Sequence, residues 1–522
     1  MPTLNWIGKE AVVNHDKEVP FKLLRKVKSA SVGENSQNLI MHGDNLEALK
    51  ALMPFYVEKI KCIYIDPPYN TGNEKWVYND KLNSPKVKKW IGKVVGNEKE
   101  DLSRHDKWLC MIYPRLKLLK DLLKEDGVIF ISIDDNEHCN LKHAMDEIFG
   151  EENFVCNIIW QKKYSPQNDA KYFSNMHDFI VVYAKKKNTN GYIGGWTRNL
   201  MNRSEKQNAR YKNLDDDPRG IWKPSDLSVK TYSASTDYPI KTPSGRIVNP
   251  PAGYCWRVTK EKFEEMVKDN RIWFGKEKSN VPSIKRFLSD VQQGIVPSTI
   301  WFREDVGDNQ EASKEIKELF KDSDFPFETP KPVRLIKRII EIASQNGDIF
   351  LDSFAGSGTT GHAVLDLNKE DGGNRKFILV EMEDKVAKDI TAERVKRAIK
   401  KYDYKDGFEY CELDKPLFNE HGNIEGTCDF SQFATYIYFT ETQTNIDKKK
   451  IKGNLVGEYN NVDYYLIYKG KNKNVLDKAF LKKIKKSENK KVIYADWCSI
   501  DDDILEKYNI EFKQIPYEVK VY

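Results

Sequence analysis

Short apolar runs alternate with stretches of helical periodicity in two parts of the chain, and the segment between those parts shows neither pattern clearly. Ile60, Cys62, Ile63, Tyr64 and Ile65 form a run suited to a parallel strand covered on both faces. Asn38 to His42, Val128 to Ile131, Phe154 to Trp160 and Phe179 to Tyr183 read as further strands. Gly43-Asp44-Asn45 opens a helix from Leu46 to Met53, with Asp44 or Asn45 suited to cap it. Between Asp106 and Lys124 the residues Trp108, Met111, Ile112, Leu116, Leu119 and Leu123 recur at helical spacing, and Asp126-Gly127 closes that helix. The alternation resumes with a helix from Arg334 to Ala343, a strand from Asp348 to Asp352 and a glycine turn from Ser353 to Gly361. A strand from Phe377 to Glu381 and an amphipathic helix from Ala387 to Lys401 follow. Helix alternating with strand predicts an α/β fold with a largely parallel sheet.

Residues 186–325 interrupt this pattern with turn residues, aromatics and arginines, among them Arg219, Trp222, Tyr254, Trp256, Arg271 and Trp273. We read this stretch as an inserted module whose aromatics serve either its own small α+β core or its surface. The expected organisation is an arm over 1–37, a first core half over 38–185, the insertion, a second core half over 326–402 and a small domain over 403–522. Trp76, Tyr78 and Trp90, set among lysines, predict a lid between Tyr69 and Arg104. In the tail, Tyr436 to Thr440 and Tyr464 to Tyr468 suggest strands, separated by lysine runs at Lys448 to Lys450 and Lys482 to Lys486.

A length of 522 residues agrees with about three domains at ~150 residues each. The 85 lysines and arginines exceed the 79 acidic residues by only 6, so any nucleic-acid contact must come from a localised basic surface. Eight scattered cysteines form no Cys-x-x-Cys pair and have no histidine at metal spacing, which predicts reduced thiols and no metal site. No apolar run approaches the ~18 residues of a membrane span, and the start of the chain lacks a signal pattern. The expectation is a soluble, cytoplasmic protein.

The first candidate chemistry lies at the end of the Cys62–Ile65 run, where Asp66-Pro67-Pro68-Tyr69 sets a carboxylate and a ring on a stiff loop without amide donors from the prolines. Ligands of open α/β sheets bind outside the carboxyl ends of strands. The second is Gly356-Ser357-Gly358-Thr359-Thr360-Gly361, after a strand and opening a helix, with Glu381 ending the next strand. This is the pattern of a nucleoside-binding turn, where glycines admit close backbone approach and a carboxylate suits a ribose diol. Taken alone, it also fits a nicotinamide dehydrogenase. Hydride transfer, however, has no need of the Pro-Pro-braced Asp66.

Together the two stretches resemble the amino-methyltransferases that act on DNA base amines, whose catalytic loop is Asp/Asn/Ser-Pro-Pro-Tyr/Phe and whose cofactor loop is Phe-x-Gly-x-Gly. The order of catalytic loop, insertion and cofactor loop resembles the β arrangement of that family. Gly43-Asp44-Asn45, Asp66 through Gly72, Thr329-Pro330-Lys331-Pro332 and Asp352 through Gly358 are similar to stretches of the modification (Mod) subunits of type III restriction-modification systems. The resemblance implies a Rossmann-like S-adenosylmethionine-dependent methyltransferase core, an inserted α+β target-recognition domain and a small C-terminal domain. It assigns Asp66, Pro67, Pro68 and Tyr69 to catalysis. Phe354, Gly356 and Gly358 would lie against S-adenosylmethionine, with Asp352 near its amino group, Glu381 on its ribose and Asp44 near its adenine. Lys331 and Pro332 would border the methionine end.

Asp at position 66 points to adenine N6, since relatives acting on the cytosine amine more often carry Ser there. No cysteine follows a proline, so the Pro-Cys nucleophile of ring-carbon cytosine methyltransferases is missing. The resemblance further implies double-stranded DNA as partner, flipping of the target base, and a homodimer. No Gly-x-x-x-x-Gly-Lys-Ser/Thr loop occurs, so ATP-driven restriction would need a separate subunit. A cytosine-N4 methyltransferase and an inactive DNA-binding relative are the alternatives.

Overall fold

The computed structural model describes residues 4–33, 36–71, 101–189, 194–291, 294–321, 327, 329–418, 424–426, 428–446, 451–470, 473–484 and 487–515. The chain divides into a larger unit, Met1–Asn199 with Ser298–Tyr522, and a smaller one, Leu200–Pro297. The lid expected around Trp76, Tyr78 and Trp90 lies outside the described residues, as do Lys448 to Lys450.

The main sheet of the larger unit contains β1 (Lys22–Lys26), β2 (Leu39–His42), β3 (Ile60–Ile65), β4 (Leu123–Ile133), β5 (Phe154–Gln161), β6 (His177–Ala184), β7 (Ile300–Trp301), β8 (Ile349–Asp352), β9 (Lys376–Glu381) and β10 (Glu409–Pro416). Their order is β1-β10-β2-β9-β8-β3-β4-β6-β5-β7. From β10 to β4 all neighbours are parallel, whereas β6 runs antiparallel to both β4 and β5. The associated helices are α1 (Asn45–Tyr56), α2 (Asp101–Leu122), α3 (His138–Phe149), α4 (Val333–Ala343), α5 (Thr359–Asp371) and α6 (Glu393–Tyr402).

The apolar runs become central strands because both faces of the sheet are covered. Ile63 and Ile65 of β3, Ile129 and Ile131 of β4, and Ile378 and Val380 of β9 share one core with Leu49, Leu52, Trp108, Ile112 and Met145 from α1, α2 and α3. Each such aliphatic side chain, fully buried, contributes about 1.5–3 kcal/mol. The alternate residues face the opposite layer. There α4 packs on α5, and a Cβ on Gly361 of α5 would stand only 3.0 Å from Leu379 and 3.1 Å from Val395 of α6. The glycine thus sets how closely α5 lies on β9.

This topology fixes where a ligand can bind. From β8 the chain passes through α5 to β9 on one side, while from β3 it passes through α2 to β4 on the other. The two strands are neighbours, with Leu351 paired to Ile63. A crevice forms at such a switch point, outside the carboxyl ends of the strands.

Several boundaries differ from the sequence expectation. Residues 1–37 do not form a separate arm, because β1 pairs with β10 and Leu23 joins a buried cluster with Leu417 and Phe433. The insertion is narrower than 186–325, since Ile300–Trp301 pairs in parallel with β5 and returns the chain to the main sheet. The tail likewise begins inside the main sheet, as β10. Tyr436 to Thr440 is not a strand but part of the helix Phe430–Thr442, which a capping box between Asp429 and Gln432 starts. Its aromatics and threonines resemble strand composition, yet Phe433, Tyr436, Ile437 and Tyr438 are all buried, as in a helix covered on several sides. Tyr464 does lie in a strand, Val462–Leu466, of a four-stranded sheet.

The smaller unit is built on the antiparallel strands Trp222–Asp226, Ser283–Phe287 and Ile272–Trp273 and on the helix Lys260–Lys268. Trp256, Phe263 and Phe274 form its core with Leu227 and Ile240. Lys285, fully buried, pairs with Asp217 at 3.2 Å. Arg219 donates to the same carboxylate, and its hydrogen bonds hold Asp217 well below the usual carboxylate range. No helix among the described residues is long and apolar enough to cross a membrane.

Candidate active site

Strand order lines up four carboxylates that are far apart in sequence. Asp44, Glu381, Asp352 and Asp66 stand at or just beyond the carboxyl ends of β2, β9, β8 and β3, four adjacent parallel strands.

Asp66 leaves β3 into a loop anchored at several points. The indole of Trp108 donates to the Pro68 carbonyl at 2.7 Å. Asn70, in the left-handed region at φ 59°, is buried and donates to Glu137 and to the Arg104 carbonyl. His105 also contacts Glu137, at 2.6 Å. Behind the loop, the Tyr64 hydroxyl meets Ser132 at 2.9 Å. The loop is therefore held by α2 and the start of α3 as well as by its two prolines.

Around Asp66 the charges are paired and the acceptors only partly used. The ammonium of Lys331 contacts Asp66 Oδ2, while Oδ1 is buried without a hydrogen-bond partner. Lys331 stands 5.3 Å from the ring centroid of Tyr69 and 6.0 Å from that of Trp160, cation–π distances. Its carbonyl accepts from Thr359 at 3.1 Å, which ties it to the start of α5, and Pro332 leads directly into α4. The Tyr69 hydroxyl donates to Asp178 at 3.4 Å, and Asp178 also takes the ammonium of Lys162. Burial raises the Asp178 carboxyl above its usual value, against the pull of Lys162. Burial, then the Asp66 and Asp178 carboxylates, push the Tyr69 phenol well above its own, so the ring is neutral.

The glycine turn forms the adjoining wall. Gly356 and Gly358 have φ of 48° and 75°, in the left-handed region that favours glycine. A Cβ on Gly356 would meet the Phe327 ring at 2.9 Å, and one on Gly358 the Thr391 carbonyl at 2.9 Å. Glu381 accepts from the Gly356 amide at 2.8 Å and from Met382 and Glu383 at 2.9 and 3.1 Å. Asp352 accepts from Thr360 at 2.6 Å and from the Phe354 amide at 3.1 Å. Burial pushes its carboxyl up to about 7, with both hydrogen bonds opposing the rise. Ser353 Oγ is buried and unpartnered. The buried guanidinium of Arg394 braces the turn through Thr359 at 2.6 Å and Ser357 at 2.9 Å.

Asp44 caps α1, accepting from Leu46 and Glu47 at 2.9 and 3.1 Å, and lies 3.5 Å from Arg115. The Gly43 amide donates to the Glu381 carbonyl at 3.0 Å, joining this turn to the glycine wall. The motif residues thus gather at the carboxyl ends of four adjacent strands. Lys331, expected beside a methionine moiety, has its ammonium on Asp66.

Trp160, Lys162, Asp178, Glu137, His105 and Arg394 escaped sequence reasoning. Trp160 and Asp178 face each other in the β5–β6 register, so pairing those two strands would have brought them together. Glu137, His105 and Arg394 carry no local signal.

The residues present suit a nucleoside ligand with a cationic tail. They offer a glycine cradle that a side chain would fill, and carboxylates for an amine and a diol. The DNA methylase family model matches residues 60–393. The StyLTI Mod subunit of a type III restriction-modification enzyme from Salmonella typhimurium is 34% identical over 79% of this chain and 62% of its own length. The EcoP15I Mod subunit of Escherichia coli is 32% identical over 84% of this chain and 75% of its own. The type II methyltransferase M.KpnI of Klebsiella pneumoniae is 30% identical over 70% of this chain and 85% of its own. The chain therefore spans somewhat under two thirds of the Salmonella subunit and most of the other two. Because the family model runs from the strand that carries Asp66, through the insertion, to the glycine turn and beyond, the chain belongs to the DNA methylase family.

Proposed function

We propose that the protein transfers a methyl group from S-adenosylmethionine to the N6 amine of an adenine flipped out of double-stranded DNA. The observation that carries this reading is Asp66 Oδ1, a buried and unused acceptor beside the Tyr69 ring and the glycine turn. S-adenosylmethionine, when bound, supplies a methyl group on a cationic sulfur. Asp352 would hold its amino group, Glu381 its ribose diol and Asp44 its adenine side, with Phe354, Gly356 and Gly358 framing the cradle. Lys331 and Pro332 would flank its methionine end, with Lys331 reaching from there to Asp66.

The lone pair of an adenine amine is delocalised into the ring. Accepting both amine protons, one at Asp66 Oδ1 and one at the Pro67 carbonyl, favours a pyramidal nitrogen with a localised lone pair. Tyr69 stacks on the base, and Pro68, fixed by Trp108, keeps the acceptors in place. The acceleration comes from positioning and electrostatics, without a covalent enzyme intermediate. The target atom is hidden in a duplex, so the base must leave the stack.

Leu200–Pro297 is the part we assign to sequence recognition, on the ground of its arginines and its insertion between the two core halves. The Mod names of two relatives support a place in a restriction-modification system, and we extend the proposal to a separate restriction subunit, a paired Mod and a cytoplasmic location. Nucleoside analysis of DNA incubated with the protein and S-adenosylmethionine tests the reading. N6-methyladenine is the expected product, N4-methylcytosine would select the other amine, and unmodified DNA would indicate an inactive relative.

A further inference from the structure

The loop between β5 and β6, residues 162–176, leaves the sheet at the wall of the site. Its base is the hydrogen bond from the Lys162 amide to the Met176 carbonyl at 3.0 Å. The next residues inward include Trp160, beside Lys331, and Asp178, beside Tyr69. Its second half carries Tyr172 and Phe173, which are 82% and 94% exposed, higher than any other large apolar or aromatic side chain among the described residues. Monomeric proteins do not gain stability from a fully solvated phenylalanine, so adjacent exposed aromatics mark a contact surface. The loop is nonetheless ordered within itself, since the Gln167 amide donates to Ser174 at 2.7 Å and the Ala170 amide to the Gln167 carbonyl at 3.2 Å. Outside, Asn175 reaches Asp135 at 3.3 Å.

The charges and rings on this loop suit a nucleic acid. Lys163 and Lys171 outnumber its single acid, Asp169, while Lys162 is already paired with Asp178 at the base of the loop. Lys171 lies 5.4 Å from the Tyr172 ring, and Arg303 stacks 4.0 Å from the ring of Tyr164. Tyr172 is six residues from Asp178, so it stays within ~20 Å of the site, at roughly 3.3–3.6 Å per extended residue. That distance covers a few base-pair steps.

We infer that Tyr172 and Phe173 form an aromatic wedge that enters the duplex beside the target adenine and fills the stack from which that base is flipped, while Lys163 and Lys171 hold the flanking phosphates. This rests on the functional reading above. Apolar wedges of this kind exchange lost base stacking for protein contact, and base–aromatic stacking tolerates any sequence. The wedge therefore acts on flipping and leaves site recognition to other residues.

The test compares the wild type with the Tyr172→Ala, Phe173→Ala double variant, whose truncated side chains are almost wholly solvated, so the core is untouched. The substrate is a duplex holding the methylated site identified by modified-base sequencing, either fully paired or with a mismatch opposite the target. The wedge predicts a fall of about tenfold or more in kcat/KM on paired DNA and recovery to within about twofold of wild type on mismatched DNA, where the base is already loosened. With 2-aminopurine at the target, the fluorescence rise on binding should largely vanish in the variant on paired DNA. Equal losses on both duplexes, or no loss on either, would overturn the wedge and point to a structural role or a protein partner for this loop. A wild type that methylates neither duplex would overturn the functional reading and the wedge together.

Discussion

The ammonium of Lys331 rests on the carboxylate of Asp66, two residues separated by 265 positions in the chain and brought together where α4 packs on β3. The contact uses one carboxylate oxygen and leaves the other free. Lys331 is also the last residue before the proline that leads into α4, so the packing of α4 on β3 and β4 positions it. We predict that Lys331→Met lowers the methylation rate by about ten- to a hundredfold, because a charge-assisted hydrogen bond to a partly buried carboxylate contributes about 1.5–3 kcal/mol. Lys331→Arg should retain more activity than Lys331→Met. Steady-state kinetics on DNA decide the point, and unchanged turnover in Lys331→Met would remove the residue from the mechanism.

The buried Asp352 makes both stability and cofactor affinity depend on pH. Its carboxyl is raised to about 7 in the folded chain, against about 3.9 when unfolded. Between those values the native state holds a proton that the unfolded state has lost, so stability is greatest below about pH 4 and declines as pH rises through about 7. The amino group proposed to bind here is a cation and requires the ionised form, so S-adenosylmethionine affinity should rise as pH climbs toward about 7. Asp352→Asn should melt higher than wild type at pH 8, with the gap narrowing to about a third at pH 5 and closing below about pH 4, and bind the cofactor more weakly. Thermal melts and calorimetry across this range check both signs.

Gly356→Val should abolish cofactor binding. The position has φ 48°, and its Cβ would press on the Phe327 ring from 2.9 Å, so a branched side chain is strained by the backbone and fills the cradle at the same time. Calorimetry with S-adenosylmethionine should give no measurable heat of binding. Retained affinity would move the cofactor elsewhere.

Exchanging Leu200–Pro297 for the matching unit of a relative should change which DNA string is methylated. Phosphate contacts position a protein on DNA and base contacts specify the sequence. Modified-base sequencing of DNA treated with the chimera reads the outcome directly, and an active chimera faithful to the original site would refute the assignment.

Local chemistry was legible in the sequence where a single segment carries it. The buried run ending in Asp66, the glycine turn from Gly356 and the strand ending in Glu381 each announce themselves within about ten residues, through apolar continuity and backbone-limiting residue types. What no segment announces is strand adjacency, which brings Asp44, Glu381, Asp352 and Asp66 into one row, or the packing of α4 on β3, which lays Lys331 on Asp66. Trp160 and Asp178 stayed hidden because only the antiparallel register of β5 and β6 sets them opposite each other. The boundary at Pro297 was invisible because Ile300–Trp301 is too short a run to read as a strand until it pairs with β5. Phe430–Thr442 misled because aromatic and β-branched residues favour strands by composition, whereas burial on several faces stabilises it as a helix.

Asp66 is assigned to the base amine and the glycine wall to the cofactor, and the Asp66→Ala variant separates these two roles. One preparation of this variant would be measured for S-adenosylmethionine binding by calorimetry and for N6-methyladenine formed in DNA by nucleoside analysis. Cofactor affinity within a few fold of wild type is expected, together with loss of detectable methyl transfer. Near-normal methylation by Asp66→Ala would contradict that assignment.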